Sequence, residues 1–416
     1  MPAGYTAGFV NTLRYGSYLV LATCTVYSTG APTNFKVPVS SVEVTVTRNA
    51  QQRRVATLTA EVLPTIPPAL LMPVNPSSPL APFGNEIRVR TGIAPGGDVD
   101  KVVWTDLGLF VIGTSTASDT TINTVYTLNL YDRSWVIAQR LFKAPYNVPA
   151  LTGNFVVEIK HLLKKVWGGT PPLRFQIAPT TAKVPRTIFN ASTNPWTAAT
   201  QLAMAAGYEL FFNATGTVVG YPTPTPSSAT PVWNFTDTAD AVTGNVGTPG
   251  TNSESLFGDA YSTPVQCSIT MTRDQIYNDV VVTGAGPYTA PNAGTTSGTA
   301  GYSTAPVVGE AQTTTASSPM NVDGPVGDIP EFVSSNFVTA STQATTAAQN
   351  YLNASLSDAW QVSISCPPNP VFDIDNVITI TRPRLNLTKT RIVIDSITHH
   401  LSYATLTVVT GRVVTR

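Results

Sequence analysis

The sequence predicts a mainly β protein with a smaller α/β part, and three observations carry that prediction. Runs in which Val, Ile or Leu alternate with Thr, Ser or Glu recur from residue 19 to residue 409, the period of a strand with one buried face. The composition is rich in Thr, Val and Ala, with 34 Pro and 29 Gly and only 12% charged residues, a turn-rich β profile. Helical spacing of apolar residues, by contrast, is confined to a few short stretches, the clearest of them between residues 155 and 206. At 416 residues the chain exceeds one core, so about two to four domains are expected.

Taken in order, residues 6–15 suit a short helix and residues 19–27 a strand, turned by Gly30-Ala31-Pro32. Residues 41–47 (S-V-E-V-T-V-T) and 53–62 (R-R-V-A-T-L-T-A-E-V) alternate strictly, and the five residues between them make a hairpin or a longer loop. Residues 64–82 are Pro-rich and read as an extended arm. A turn at Phe83-Gly84-Asn85 then leads into a strand with Arg88 and Arg90 pointing outward. Residues 102–112 and 126–131 are further strands, and Asp132-Arg133-Ser134 turns the chain into a short helix over 135–141.

The middle of the chain changes character. Phe155, Ile159, Leu162, Leu163 and Val166 fall on one helical face, with Lys160, Lys164 and Lys165 on the other, and Gly168-Gly169 ends the helix. A second helix over 195–206 has Asn194 as N-cap and Pro195 at its first position. Residues 208–213 and 217–221 form a hairpin about Gly216, and 223–231 is a Pro/Thr/Ser linker. Strands follow at 268–271 and 277–283. From 284 to 328 the chain is Gly, Thr, Ser, Ala and Pro, a composition that predicts a flexible or surface-draped insertion without a core. A helix over 337–356, capped by Thr339 or Ser341, and a strand over 360–365 lead into the last meander. That meander comprises a strand over 377–381, a turn at 382–390, a strand through Arg391, Val393, Asp395 and Ile397, a turn over His399–Tyr403, and a strand over 404–409. Three strands cannot bury a core alone, so this meander must join more sheet elsewhere.

Composition also excludes some chemistry. The formal net charge is zero, which argues against a nucleic-acid binder with a basic stripe and suits a subunit largely covered by neighbours. Cys24, Cys267 and Cys366 are odd in number and far apart, so they read as small apolar residues and not as a disulfide or zinc framework. The apolar run at 18–26 has no basic leader, and no stretch approaches the roughly 20 apolar residues of a membrane span. The expectation is a chain made in a cytosol and kept or assembled there. No serine elbow, phosphate loop, H-E-x-x-H or Cys-x-x-Cys occurs. His399-His400 are adjacent, so on a strand they point to opposite faces and make a poor metal pair. Asp373 and Asp375 share a strand face, the one arrangement that suggests paired carboxylates for glycan cleavage, but they flank the Asn369-Pro370 turn, where Asx residues usually bond backbone. Trp104, Trp135, Trp196, Trp233 and Trp360 are scattered, as core anchors are. The residues therefore nominate no catalytic, cofactor or metal site.

Several of these stretches, in order, resemble the tail hub proteins of long-tailed bacteriophages. In the first 145 residues they are Arg53-Arg54-Val55-Ala56-Thr57-Leu58-Thr59, residues 83–89, residues 107–112 and residues 126–134. The helix-then-hairpin unit at 196–219, the run from Arg273 to Gly284 and the C-terminal D-S-I-T and T-L-T strands continue the likeness, with Asp375-Asn376 where the family has Gly-Asp. The resemblance implies two tail-tube-like antiparallel β-barrel domains, at 1–145 and 265–416, with an α/β insertion at 146–264 and the Gly/Thr-rich insertion at 284–328. It implies a structural, non-enzymatic virion protein at the tail tip or baseplate, a homotrimeric ring matching a sixfold tube. Its partners would be a distal tail protein ring, the C-terminus of the tape-measure protein and tip or fibre proteins, with DNA passing through the lumen without sequence readout. The readings set against it are a tail-associated hydrolase of cell wall or polysaccharide, a distal tail or tube protein, and another virion component such as a decoration or receptor-binding protein.

Overall fold

Two runs of alternating residues in the first third of the chain set the frame. The computed structural model describes all residues except 1–8, 11, 14–16, 29–30, 49, 62–75, 120–123, 149–153, 169–170, 182–183, 185–186, 223–228, 237–265, 273–275, 285–287, 290–300, 303–305, 317, 319, 336–337, 339, 359, 402–404 and 416. Most of the 6–15 helix, residues 64–75 of the arm, most of the 223–231 linker and the Thr339 cap fall outside the described residues. Strands β1 (Tyr18–Ser28) and β2 (Ala31–Val37) form a hairpin, and β3 (Val39–Thr47) pairs with β4 (Arg54–Glu61). Val42, Val44 and Val46 on β3 are at most 2% exposed, whereas Glu43, Thr45 and Thr47 between them are not buried. β5 (Glu86–Pro95), β6 (Val103–Asp119) and β7 (Thr124–Tyr131) complete this wing. β6 is long enough to pair with β5 along its first half and with β7 along its second.

The middle unit comprises α1 (Arg133–Gln139), β8 (Tyr146–Val148), α2 (Phe155–Trp167), β9 (Phe175–Ile177), β10 (Thr187–Phe189), α3 (Pro195–Ala205), β11 (Tyr208–Phe212) and β12 (Val218–Pro222). Its helix ends are chemically specified. The Asn154 side chain accepts from Val157 N at 2.9 Å, Asn194 accepts from Trp196 N at 2.9 Å, and Gly168 closes α2 at φ +51°. Phe155, Ile159, Leu162, Leu163, Trp167, Trp196, Leu202 and Phe212 form a core of its own.

The remaining elements are β13 (Trp233–Thr236), β14 (Gln266–Met271), β15 (Asp279–Gly284), β16 (Tyr288–Thr289), β17 (Gly301–Tyr302), β18 (Val307–Gln312), β19 (Pro330–Ser335), α4 (Ser341–Asp358), β20 (Trp360–Cys366), β21 (Val377–Arg382), β22 (Leu387–His400) and β23 (Thr407–Thr415). One sheet of thirteen strands runs β14–β20–β23–β22–β3–β4–β7–β6–β5–β1–β2, with β21 also on β22 and β13 parallel on β21. The two wings therefore meet at a single strand pair, in which Ser396–His400 of β22 run against Thr47–Glu43 of β3. A common core lies beneath both wings, joining Val44, Leu58, Phe110 and Leu128 to Ile364, Ile378, Ile394 and Val409. Burying each such Leu or Ile contributes about 1.5–3 kcal/mol.

The structure corrects three expectations. First, the segment 284–328 is not without a core. β18 pairs with β15, Ala311 is 7% exposed, and α4 closes over the β18–β15–β19 sheet to give a small unit with Val280, Val282, Ala348 and Leu352 inside. Gly309 permits the approach, since a Cβ there would lie 2.2 Å from Thr345 N. Asn278, fully buried, pins the loop that follows, donating to Met320 O and Gly327 O and accepting from Ile329 N at 3.0, 2.7 and 2.7 Å. Second, the strand at 277–283 belongs to this unit and not to the C-terminal wing. Third, His399-His400 lie within β22 and not in a turn, because the seam with β3 carries the ladder through residue 400, after which Leu401 N donates to Val42 O at 2.7 Å. The last strand is correspondingly displaced to Thr407–Thr415.

Candidate functional site: a charged seam and a hydroxyl-lined sheet face

Where the two wings and the middle unit meet, the chain buries a network of charges. Arg48 leaves the end of β3 and Arg53-Arg54 enter β4, so three guanidinium groups come from one hairpin connection. Arg53 Nη2 lies 2.8 Å from Asp375 Oδ2, Arg48 Nε lies 3.1 Å from Asp375 Oδ1, and Arg48 also pairs with Glu209 of β11. Tyr221 of β12 donates to Asp375 Oδ2 at 2.7 Å, and the Arg53 guanidinium stacks 3.8 Å from the centre of the Phe211 ring. The side chains of Arg48, Arg53 and Asp375 are 11%, 6% and 7% exposed, so these pairs are shielded from water and salt. Asp375 adopts φ +66°, and its backbone N–H donates to Ile394 O at 3.0 Å, which fastens the loop to β22. Asp395 takes Arg412 at 2.9 Å. A second clamp joins the middle unit to β5: buried Arg133 grips Glu86 with two bonds of 2.6 and 2.8 Å and donates to Gly216 O at 3.1 Å.

The environment moves several titrations. Burial, and then the Asp375 charge, pushes the Glu209 carboxyl up; Arg48 and Arg53 oppose that shift. Burial also raises Tyr221, with Asp375 adding to it. At Arg48 burial works against the charge, but Glu209, Asp375 and Asp395 together outweigh it and hold the guanidinium protonated.

Of the residues singled out in the sequence, Asp373 and Asp375 are both at this seam, in ion pairs. Asp373 accepts from Arg54 Nη2 at 2.8 and 3.1 Å and from Ile374 N at 2.9 Å. Next to it a cleft of about 330 Å³ opens between Arg54, Asp106, Leu107, Asp373, Asn376 and His399. His399 is 4% exposed, and burial, with Arg54 beside it, drives its imidazole down to about 4. His400 points to the other face, its Nδ1 3.2 Å from Glu43 Oε2. Cys24 and Cys366 are buried with thiols pushed up to about 12 by burial, and Cys267 is half-buried on β14. Trp196 and Trp233 are buried anchors, and Trp135 stacks on Tyr131. Among the described residues no group of three His, Cys, Asp or Glu is placed to hold a metal, and no helix is long and apolar enough to cross a membrane. Sequence reasoning missed Arg48, Glu209 and Tyr221. The available signal was a cluster of three arginines at one β connection with no acidic neighbour in sequence.

The face of the large sheet opposite the common core has a different character. Registered neighbours cross it in rows: Ser268, Ser363, Thr410, Ser396 and Thr47; then Gln266, Ser365, Val408, Thr398, Thr45 and Val55; then His400, Glu43, Thr57, Asn129 and Thr114. None of these side chains is buried. Thr45 and Thr398 share a hydrogen bond of 3.3 Å across the seam, as do Thr47 and Ser396, and Asn129 donates to Thr114 at 2.8 Å. Glu43 and His400 are the one ionisable pair in these rows. The rows span eight strands, β14–β20–β23–β22 from one wing and β3–β4–β7–β6 from the other, four from each.

No family model and no curated protein sequence matches the chain. Solved structures do. The tail protein from Neisseria meningitidis MC58 superposes with a TM-score of 0.58 at 10% identity, covering 94% of this chain and 96% of that one. The 43 kDa tail protein of prophage MuSo2 from Shewanella oneidensis gives 0.55 at 11% identity, covering 94% and 98%. The Francisella PdpA–VgrG complex gives 0.50 at 8% identity, covering 95% of this chain and 58% of that one. The chain thus has, over nearly its whole length, the fold of phage tail proteins.

Proposed function

We propose that this protein is a structural component of a virion tail: the hub at the distal end of the tail tube, a ring of three copies that adapts a sixfold tube to the tail tip. The observation that carries this reading is the hydroxyl-rich face, with Glu43 and His400 as the one ionisable pair in its rows, that crosses from one wing to the other. Four strands per wing make each copy present two similar arcs, so three copies present six. Twenty-four strands at about 4.8 Å close a ring about 37 Å across at the backbone, ahead of any widening by strand tilt. Such a lumen passes DNA without holding it, because short neutral hydroxyl groups offer no cations to the phosphates. Among the described residues β14 pairs with β20 and the 113–119 part of β6 with β7, so the two ends of the face are edges able to pair between copies.

In this reading the middle unit and the small β15–α4 unit hang outside the ring. The first wing corresponds to the tube-like domain at 1–145 and the second, built of β13, β14 and β20–β23, to the tube-like domain at 265–416 without the small β15–α4 unit, and the partners are the distal tail ring above, the tape-measure C-terminus in the lumen and tip or fibre proteins below. The neighbours' shared tail fold supports this, and so do Asp373 and Asp375, whose engagement with arginines suits holding parts together and not cleaving glycans. The test is covalent capture. Thr270→Cys and Thr116→Cys, joined by a bismaleimide linker in assembled particles, are expected to give bands up to trimer and none larger. A ladder that stops at monomer, or runs on to six, contradicts the ring of three.

A further inference from the structure

The zero net charge conceals a strong segregation. Residues 133–208 hold nine Lys and Arg against one acidic residue, Glu158, a net +8. Residues 209–380 hold fourteen Asp and Glu against one basic residue, Arg273, a net −13. Glu158 and Arg133 are both buried, so the 133–208 stretch exposes no acidic residue. Along α2, Val157, Lys160, His161, Lys164 and Lys165 recur at helical spacing on the side away from the core, none of them buried. Lys164 lies 5.8 Å from the centre of the Phe175 ring and Lys165 5.0 Å from that of Tyr146, which orders both stems. Among the described residues no carboxylate pairs with Lys160, Lys164 or Lys165.

The small unit offers the complement. α4 covers one face of its sheet. On the other face the paired positions Glu310, Val281 and Phe332 form one row and Val308, Thr283 and Ser334 the next. Phe332 is 74% exposed and Val308 51% exposed, with exposed Glu310 beside them and exposed Asp323 in the loop that follows β18. An aromatic anchor with an aliphatic neighbour and an acidic rim is the make-up of a protein-docking face. Within the described chain neither Glu310 nor Asp323 pairs with a cation.

We propose that the basic stripe of α2 in one copy docks on the acidic outer face of the β18–β15–β19 unit in a neighbouring copy. The inference rests on the ring reading above and adds its outer contact. It is heterologous, each copy presenting one surface and receiving the other, which is the kind of contact that closes a ring. The occupant is a second copy and not a nucleic acid, because both surfaces carry exposed apolar groups (Val157 at 52%, Val308 and Phe332) that a phosphate backbone does not use, and because the chain carries its own complementary charge.

The test uses the full chain and three variants, with association followed by sedimentation at low and high salt. Lys160→Glu with Lys164→Glu, and separately Glu310→Lys with Asp323→Lys, are each expected to weaken self-association by about tenfold or more at low salt, and the four substitutions in one chain to restore it. Association of the two reversed variants at wild-type strength, or failure of the combined chain to recover, overturns the contact while leaving the ring intact. A wild-type chain that stays monomeric at every concentration and salt overturns the ring as well. Binding of a labelled 30-base-pair duplex that is lost in Lys160→Glu with Lys164→Glu, with self-association unchanged, overturns the proposal in favour of nucleic acid.

Discussion

Replacing Asp375 by Asn asks whether the charged seam holds three parts of the molecule or only shapes one loop. Asn keeps the length of the side chain, can still accept from Tyr221 and tolerates the observed φ of +66°. What it removes is the charge facing Arg48 and Arg53 at 3.1 and 2.8 Å. Removing one partner of a buried ion pair costs about 3–5 kcal/mol, because a buried cation is left uncompensated. Glu209 still faces both arginines, so the loss belongs at the lower end, about 3 kcal/mol. Asp375→Ala adds a left-handed backbone penalty and an unpartnered Tyr221 hydroxyl, bringing the total to about 5 kcal/mol. Hydrogen exchange resolved by peptide is the assay, since a chain of several units has no single unfolding free energy. Segments 208–222, 391–400 and 41–48 should lose protection together. A change under about 0.5 kcal/mol for Asp375→Asn, or one confined to residues 373–376, would mean that the seam shapes one loop and does not hold the three segments together.

Other predictions follow from the same geometry. His399 titrates at about 4 in the fold against 6.5 when free, so the unfolded chain takes its proton first. Stability therefore falls with pH between about 6.5 and 4, by about 3 kcal/mol, and His399→Gln should flatten that slope of the urea midpoint. Asn278→Ala strips three hydrogen bonds from a buried loop and should cost about 3 kcal/mol, read as lost exchange protection at 313–329 with the large sheet unaffected. Gly309→Ala drives a methyl group into α4, 2.2 Å from Thr345 N; an expected loss of about 1–3 kcal/mol should loosen β18 and α4 and leave β20–β23 protected.

Much of the sheet was legible because its signal is local. Val42, Val44 and Val46 alternate with polar residues whatever strand they pair with, and Asn154, Asn194 and Gly168 mark helix ends by their own chemistry. The rest depends on partners distant in sequence. A His-His-Leu-Ser-Tyr run has the composition of a turn, but the ladder to β3, about 350 residues away, carries β22 through His400. The small unit is hidden by its composition: Gly309 is a poor strand former that the closeness of α4 requires, and Ala311, another, is buried in the same core. Asp373 and Asp375 stand out in sequence as a pair, but their partners, Arg48, Arg53 and Arg54, lie in the first wing, and no local pattern joins them. The charge segregation was invisible to a total that sums to zero.

A ring of three copies whose two wings line one lumen is open to direct measurement by imaging tail tips in intact virions. The expected result is threefold density below a sixfold tube, with two four-stranded arcs per chain facing the lumen and the middle unit outside. A sixfold ring with one arc per chain at the tube, or a position away from the tube axis, contradicts it.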